Sequence, residues 1–414
     1  MDRSELEIMA PAGNFECLRA AIDAGANSVY FGIGRLNMRS RSANNFSTED
    51  LPEVVRICRE AGVKAYMTLN IALFGEDLED ARRALDTAKE AGVDAIIASD
   101  MAAILYCRSI GLEVHISTQL SISNYEALRF YAQFADVVVL ARELNLTQVA
   151  EIYRQIVEND LRGPSGQLVR IEMFAHGAFC MAISGKCYMS LDNYGSSANR
   201  GACMQVCRRG YEVTDLETGV KLNIDNKYIM SPKDLCTIEF MDKFIEAGVK
   251  VFKIEGRARS AEYVRRAVGC YREAADAVCD GTYTPELTAR LKESLSEVFN
   301  RGFWDGYYLG AKMGEWSSVY GSSATRTKVY CGKVTNWFDK IGVAEIAVEA
   351  APLCKGDEVL VIGSVTGCEE FTVEDLRLDY NPVDRVEKGL RCSIAVPGAR
   401  LRRGDKLYLW VRNS

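Results

Sequence analysis

One short unit recurs four times along this chain: an amphipathic helical pattern closes on Ala-Gly, and a short apolar run follows within a few residues. The copies are Asp23-Ala24-Gly25 before SVYFG, Glu60-Ala61-Gly62 before KAYMTLN, Glu90-Ala91-Gly92 before DAIIASD, and Glu246-Ala247-Gly248 before KVFKIEG. A glycine just past a helix supplies the left-handed turn that ends it without a Cβ penalty, so each copy reads as helix, cap, buried strand. The spacing is 37 residues from Gly25 to Gly62 and 30 from Gly62 to Gly92, lengths that suit a βα unit.

Adding the other apolar runs gives eight candidate strands: LEIMA, SVYFG, KAYMTLN, DAIIAS, EVHIS, DVVVLA, RIEMFA and KVFKIE. Helical patterns such as LEDARRALDTAKEA and EALRFYAQF separate most of them. Strands buried on both faces read as continuous apolar runs, and parallel strands need crossover helices, so the pattern predicts an α/β fold with a closed (β/α)8 TIM-like barrel. An open doubly wound sheet is the rival, but no G-x-G-x-x-G turn follows the first strand.

At 414 residues the chain exceeds what one barrel needs. We expect the barrel over residues 1–325, with a long cysteine-bearing insertion at about 177–235 after strand seven. From 326 to 414 short alternating runs such as KVYCGKVTNW and KLYLWVR, punctuated by glycine and proline, predict a small all-β C-terminal domain, a second β-barrel. No apolar run approaches the roughly 20 residues a bilayer requires, and the start, MDRSELEIMAPAG, lacks basic and apolar leader regions. A cytoplasmic protein with no membrane partner is the expectation.

Fourteen cysteines are many for such a chain, because a reducing compartment discourages disulfides. Cys180, Cys187, Cys203 and Cys207 fall within 28 residues, directly after the seventh strand and so at the C-terminal face where barrels keep active sites. Four readings stand beside one another: inert buried cysteines, disulfides, a structural zinc site, and an iron–sulfur cluster. Cys203-x3-Cys207 suits a zinc knuckle, whereas Cys180-x6-Cys187 is loose for one. Gly177, Gly185, Gly201 and Gly210 are expected to let the backbone pass close to the sulfurs, and Cys236 is a further candidate ligand. Only two histidines are present, His115 and His176, which leaves little room for histidine-based devices.

The stretch IEMFAHGAFCMAISGKCYMS, followed by RGACMQVCRRGY, resembles the signature of the collagenase-like peptidase family U32, in which Glu172, Phe174, Gly177, Cys180, Gly185, Cys187 and Ser190 occupy the motif positions. APAG at 10–13, the 39–46 segment, MSPKDL at 230–235 and KIEGR at 253–257 are similar to that family too. The family was named for peptidases, yet its better understood members are oxygen-independent hydroxylation proteins that bind a four-iron four-sulfur (4Fe-4S) cluster and take oxygen from prephenate. The resemblance implies that Cys180, Cys187, Cys203 and Cys207 hold the cluster, that prephenate is co-substrate, and that tRNA is the partner, with 5-hydroxyuridine formed at the wobble position. Hydroxylation of a 23S rRNA cytidine, or of a quinone ring by a paralogous pair of subunits, is the same chemistry on another substrate. Peptide hydrolysis is the alternative, and the sequence offers it neither H-E-x-x-H nor a G-x-S-x-G elbow. A redox-sensing or scaffold subunit is a third reading.

A prephenate-like dicarboxylate calls for cationic or donor groups at the barrel mouth. Strand ends supply Arg39, Asn45, Asn70, Gln119, Arg142, Lys253 and Arg257 for substrate binding, each with a plainer use in pairing with acids such as Asp100, Glu143, Glu172 and Glu255. His176 and Glu172 are the candidate catalytic residues. For RNA, the net charge of −7 offers no general attraction, so local patches must serve: Arg257, Arg259, Arg265, Arg266 and Arg272 on one side, and Arg400, Arg402, Arg403, Lys406 and Arg412 near the end. Tyr263, Tyr271 and Trp410 are the candidate stacking residues.

Overall fold

The structure is a computed structural model that describes residues 3–41, 44–222, 230–319 and 321–413; Ser42 and Ala43 of the 39–46 segment and residues 223–229 of the insertion lie outside it. All eight candidate strands form: β1 (Glu7–Pro11), β2 (Ser28–Gly32), β3 (Lys64–Leu69), β4 (Ala95–Ala98), β5 (Glu113–Ile116), β6 (Val137–Val139), β7 (Arg170–Gly177) and β8 (Val249–Ile254). They run parallel in sequence order, and β8 pairs with both β7 and β1, closing the barrel. Gly25, Gly62, Gly92 and Gly248 all take positive φ, as helix caps require. Among the described residues, no helix is long and apolar enough to cross a membrane.

Met9, Tyr30, Tyr66, Ala95, Ile97, Val137 and Val251 pack inside the barrel as one cluster, while the larger core lies between strands and helices. Beneath that interior cluster, Glu7 accepts hydrogen bonds from Ser28 Oγ at 2.7 Å and Tyr66 OH at 2.9 Å and pairs with Arg170 at 2.9 Å. Burial alone would raise the Glu7 carboxyl, but Arg170, then His115, Ser28 and Tyr66, hold it below its ordinary value. His115 belongs to this lower layer, 4.6 Å from the Tyr66 ring and 3.1 Å from Glu113 Oε1, and takes no part at the mouth.

The all-β tail is built as an eight-stranded antiparallel sheet around its own core of residues such as Val334, Ile346, Val361 and Leu407. Its Leu360, Cys368 and Trp410 enter the barrel's core instead, against helices Phe15–Asp23 and Ala261–Asp280. This packing corrects the expectation of an RNA-facing patch on the second helix. Arg265 pairs with Glu369 at 3.2 Å and Arg266 with Glu370 at 2.7 Å, both on the tail, and Lys328 returns the contact to Glu262 at 2.9 Å. Arg272 pairs with Asp276 within its own helix, and Tyr263, Tyr271 and Trp410 are buried and offer no stacking face. A charge run that reads as a solvated face is here the seam between two layers.

Candidate active site

The mouth of the barrel holds a cavity of about 210 Å³ in which the chemistry-bearing residues meet. Cys180, Cys187, Cys203 and Cys207 all line it, each half-buried. The insertion that carries them is pinned at three points. Arg208 donates to the carbonyls of Phe179 at 2.6 Å and Pro232 at 2.7 Å, tying the two ends of the insertion together. Arg200 pairs with fully buried Asp77 at 2.7 Å and lies 3.8 Å from the Phe74 ring centroid, anchoring the middle to the loop after β3. Ser190 Oγ accepts from the Met204 amide at 3.0 Å, bridging the two cysteine pairs.

Burial pushes the Cys207 thiol up to about 11, Arg208 opposes, and Cys180, Cys203 and Cys187 add to the rise, so the four sulfurs feel one another. Among the described residues, no group of three or more His, Cys, Asp or Glu side chains is gathered tightly enough to hold a single metal ion. Thiolates on one tetrahedral ion, with bonds of about 2.3 Å, would lie roughly 3.8 Å apart. All four cysteines line one cavity, and four half-buried thiols are the donor set that a thiolate-bound cluster takes.

The expected glycine role needs correction. A Cβ on Gly201 (φ +82°) would sit 2.2 Å from the Asn37 carbonyl oxygen, and one on Gly177 (φ +102°) would sit 2.4 Å from that of Glu255. These glycines let the insertion press against the mouth loops, not against sulfur. Gly177→Ala is therefore expected to cost roughly 1–2 kcal/mol for the positive-φ backbone and about 1–3 kcal/mol more for overpacking. A urea midpoint unchanged from wild type would contradict this reading of the strand end.

Of the substrate-binding candidates, Arg39, Asn70, Gln119, Arg142, Lys253 and Arg257 line the cavity. Asn45 does not: its Nδ2 donates to the Arg39 carbonyl at 3.3 Å, so it shapes the loop that presents Arg39. Sequence reasoning missed Arg208 and Arg301 and placed Arg259 in an RNA patch, yet all three line the cavity. Their signal was adjacency, to Cys207, to the aromatic turn at 301–310 and to KIEGR. Among the described residues, seven cationic side chains thus face the cavity, and Glu255 is the only carboxylate that lines it.

Glu255 accepts from Arg39 Nη2 at 2.9 Å and Tyr30 OH at 3.2 Å. Burial would raise its carboxyl, but Arg39 first, then Arg257 and Lys253, hold it at about 2. Arg257 donates to Asn37 Oδ1 at 3.0 Å and Thr68 Oγ1 at 2.9 Å, and burial pulls it down to about 10. Arg142 donates to Ser184 Oγ at 2.8 Å and stacks 4.7 Å from the Phe179 centroid. With the described residues, Arg142, Arg208, Arg257 and Arg259 form no ion pair. Thr118 Oγ1, Gln119 Oε1, Arg142 Nε and Arg257 Nε are buried without a protein partner. Buried polar atoms are almost always satisfied, so these are positions a polar ligand would use.

The two catalytic candidates stand elsewhere. Along β7 the pairing steps from Phe174 opposite Lys253 to His176 opposite Ile254, leaving Ala175 as an extra residue. That bulge turns His176 out of the barrel, as bulges re-aim the side chains that follow them. It lies among Tyr263, Tyr271 and Phe303, where burial, helped by Arg259, lowers its imidazole to about 3. His176 is a neutral packing residue off the cavity. Glu172 is fully buried below the mouth and reaches it only through Lys253, whose Nζ donates to Oε1 at 2.7 Å. Cys236, the further candidate ligand, is buried beside Tyr271 OH at 3.9 Å, off the cavity, and burial pushes its thiol up to about 12.

Three relatives give this site its context. A protein of Porphyromonas gingivalis named collagenase is 57% identical over 408 residues, covering 99% of this chain and 98% of the relative. A tRNA hydroxylation protein of Bacillus subtilis is 34% identical across 89% of this chain and 86% of its own length. A 23S rRNA 5-hydroxycytidine synthase of Escherichia coli is 33% identical across 89% of this chain and 54% of its own length. The model of peptidase family U32 matches residues 13–318, from the first strand's exit through the cysteine insertion to the aromatic turn. This chain belongs to peptidase family U32.

Proposed function

We propose that this protein is an RNA-modifying hydroxylation protein that forms 5-hydroxyuridine at the tRNA wobble position, with prephenate as oxygen donor. The observation that carries the reading is the meeting of four thiols and seven cationic side chains in one cavity at the C-terminal end of the barrel. Relatives named for tRNA and rRNA hydroxylation support the substrate class. Cys180, Cys187, Cys203 and Cys207 would hold a 4Fe-4S cluster, and four cysteines are the donor set such clusters take. Bound there, the group would supply a redox-active, Lewis-acidic centre beside the substrate.

The chain's own residues do the rest. Arg142 and Arg257, neither in an ion pair with a described residue, suit the two carboxylates of a prephenate-like anion, because guanidinium grips carboxylate through paired N–H donors. Lys253 adds a charge fixed from below by Glu172, and Arg39 is held in place by Glu255. Gln119 and Asn70 offer neutral hydrogen bonds for the base or the anion's hydroxyl. The nucleotide must leave its stack to reach a cavity inside the barrel mouth, as in other enzymes that modify bases.

Peptide hydrolysis has the names of relatives on its side, among them collagenases 57% and 51% identical to this chain. The cavity opposes it. Neither histidine reaches the mouth, and the one carboxylate that lines it among the described residues is held at about 2, so no described carboxylate or imidazole there is poised as a general base for acyl transfer. The test is nucleoside mass spectrometry of tRNA and rRNA from a strain lacking the gene and from its complemented counterpart. Loss of 5-hydroxyuridine, restored on complementation, is expected. Unchanged nucleosides in both RNAs, or peptide cleavage by homogeneous metal-free protein, would overturn the proposal.

A further inference from the structure

The cavity does not end at the cysteines. A second groove of about 420 Å³ adjoins it, lined by Arg41, Cys203, Met204, Gln205, Arg208 and Arg209, and shares Cys203, Gln205 and Arg208 with the first. Among the described residues it holds three guanidinium groups and no acid; Arg208 is spent on the carbonyls of Phe179 and Pro232, which leaves Arg41 and Arg209, neither in an ion pair with a described residue. On a chain of net charge −7 that is a local feature, not a consequence of the overall field. Gln205, between the last two cysteines, is held at φ +51°, a left-handed backbone state that non-glycine residues take uncommonly.

Beside this groove the insertion exposes what a soluble surface usually hides. Met181, Ile183, Tyr188, Leu191 and Tyr194 are all exposed within residues 181–194, and Tyr188 is 68% accessible. Lys186 is exposed among them. Arg209 lies 5.2 Å from the Tyr194 ring centroid and donates to its hydroxyl, so a flat cation already stacks on a flat ring at the groove's edge. Apolar exposure alone would suit a protein partner; its union with guanidiniums that no described carboxylate neutralises suits a chain that alternates phosphate with aromatic base.

We infer that the groove between Arg41 and Arg209 is the path of a single-stranded RNA backbone, and that Tyr188 and Tyr194 are platforms for the bases flanking the one that enters the cavity. The inference rests on the RNA reading above and deepens it by assigning the surface. Arginine tracks phosphate by charge without reading sequence, while aromatic faces accept any unstacked base. The groove therefore selects unpaired loops over duplex, and the cavity selects the base.

The test uses the full chain purified without oxygen, a fluorescein-labelled RNA stem-loop, and the same strand annealed into a continuous duplex, with affinity read by anisotropy across a salt series. Arg41→Glu combined with Arg209→Glu is expected to weaken stem-loop binding more than tenfold and to flatten the salt slope by about 1.4, at about 0.7 for each phosphate no longer neutralised. Tyr188→Ala is expected to weaken it by about tenfold, the loss of one base–aromatic stack, with the slope unchanged. All these side chains are exposed, and retained iron content and thermal midpoint confirm intact variants. Wild-type affinity in both variants, or equal affinity for duplex and stem-loop, overturns the inference, as does loss of a protein partner or of self-association with RNA binding intact. No co-substrate is present, so the assay reports the surface alone, whereas failure of the hydroxylation reading appears only in nucleoside analysis.

Discussion

Cys203→Ala protein purified without oxygen is expected to emerge colourless, stripped of iron and acid-labile sulfide, and unable to hydroxylate RNA, while Cys107→Ala protein keeps its colour, its iron and sulfide, and its activity. The contrast rests on where the sulfurs stand. Cys203 is half-buried on the cavity wall with Cys180, Cys187 and Cys207. Cys107 is fully buried in helix Met101–Ser109, where burial raises its thiol to about 12 and leaves it a small apolar filler. Removing one of four ligands opens the site, and a cluster held by thiolates is lost with its binding energy. Removing the filler costs packing alone, about 1 kcal/mol for one missing heavy atom. Iron, sulfide and absorption measured on both variants decide the matter. If wild-type protein carries one zinc per chain and no iron, or if Cys203→Ala retains full iron, the proposed centre is wrong.

Much of this architecture is legible in the sequence because its determinants are local. The barrel strands read as mostly apolar runs, and each Ala-Gly cap marks where a helix must stop, so eight strands and their order follow from period and punctuation. The cysteine quartet is legible because its members are close in sequence, and Arg142, Lys253 and Arg257 because they sit at or just past strand ends, whereas Arg39 comes from the loop after β2. What could not be read depends on pairings between distant residues. One extra residue at Ala175 turns His176 away from the cavity, and nothing in RIEMFAHG announces the bulge. Arg265 and Arg266 face Glu369 and Glu370 more than a hundred positions later, so a helix that looks solvated is covered. The RNA-facing cations are sought instead at Arg41 and Arg209, which belong to loops with no periodicity to flag them.

Lys253→Met is expected to destabilise the protein by about 3–5 kcal/mol, the second largest effect we foresee, and its partner substitution explains why. Glu172 Oε1 accepts from Lys253 Nζ at 2.7 Å, its side chain is wholly buried, and Oε2 has no protein partner. Taking away the ammonium leaves a carboxylate in the barrel with no counter-charge, a loss far beyond that of a surface pair. The Lys253 ammonium also lies 4.6 Å from the Tyr30 centroid and 5.6 Å from that of Phe174, contacts that methionine replaces only in part. Glu172→Leu in the same protein removes the stranded charge, and stability is expected to return to within about 1 kcal/mol of wild type, since an apolar pair of similar volume often replaces a buried ion pair at no cost. Activity is expected not to return, because Lys253 faces the cavity and Glu172 does not. Urea unfolding of the three variants measures the first effect, and hydroxylated nucleoside formed per chain measures the second. A Lys253→Met midpoint within about 1 kcal/mol of wild type would remove the buried pair as a stability element, and a fully active double variant would remove Lys253 from substrate binding.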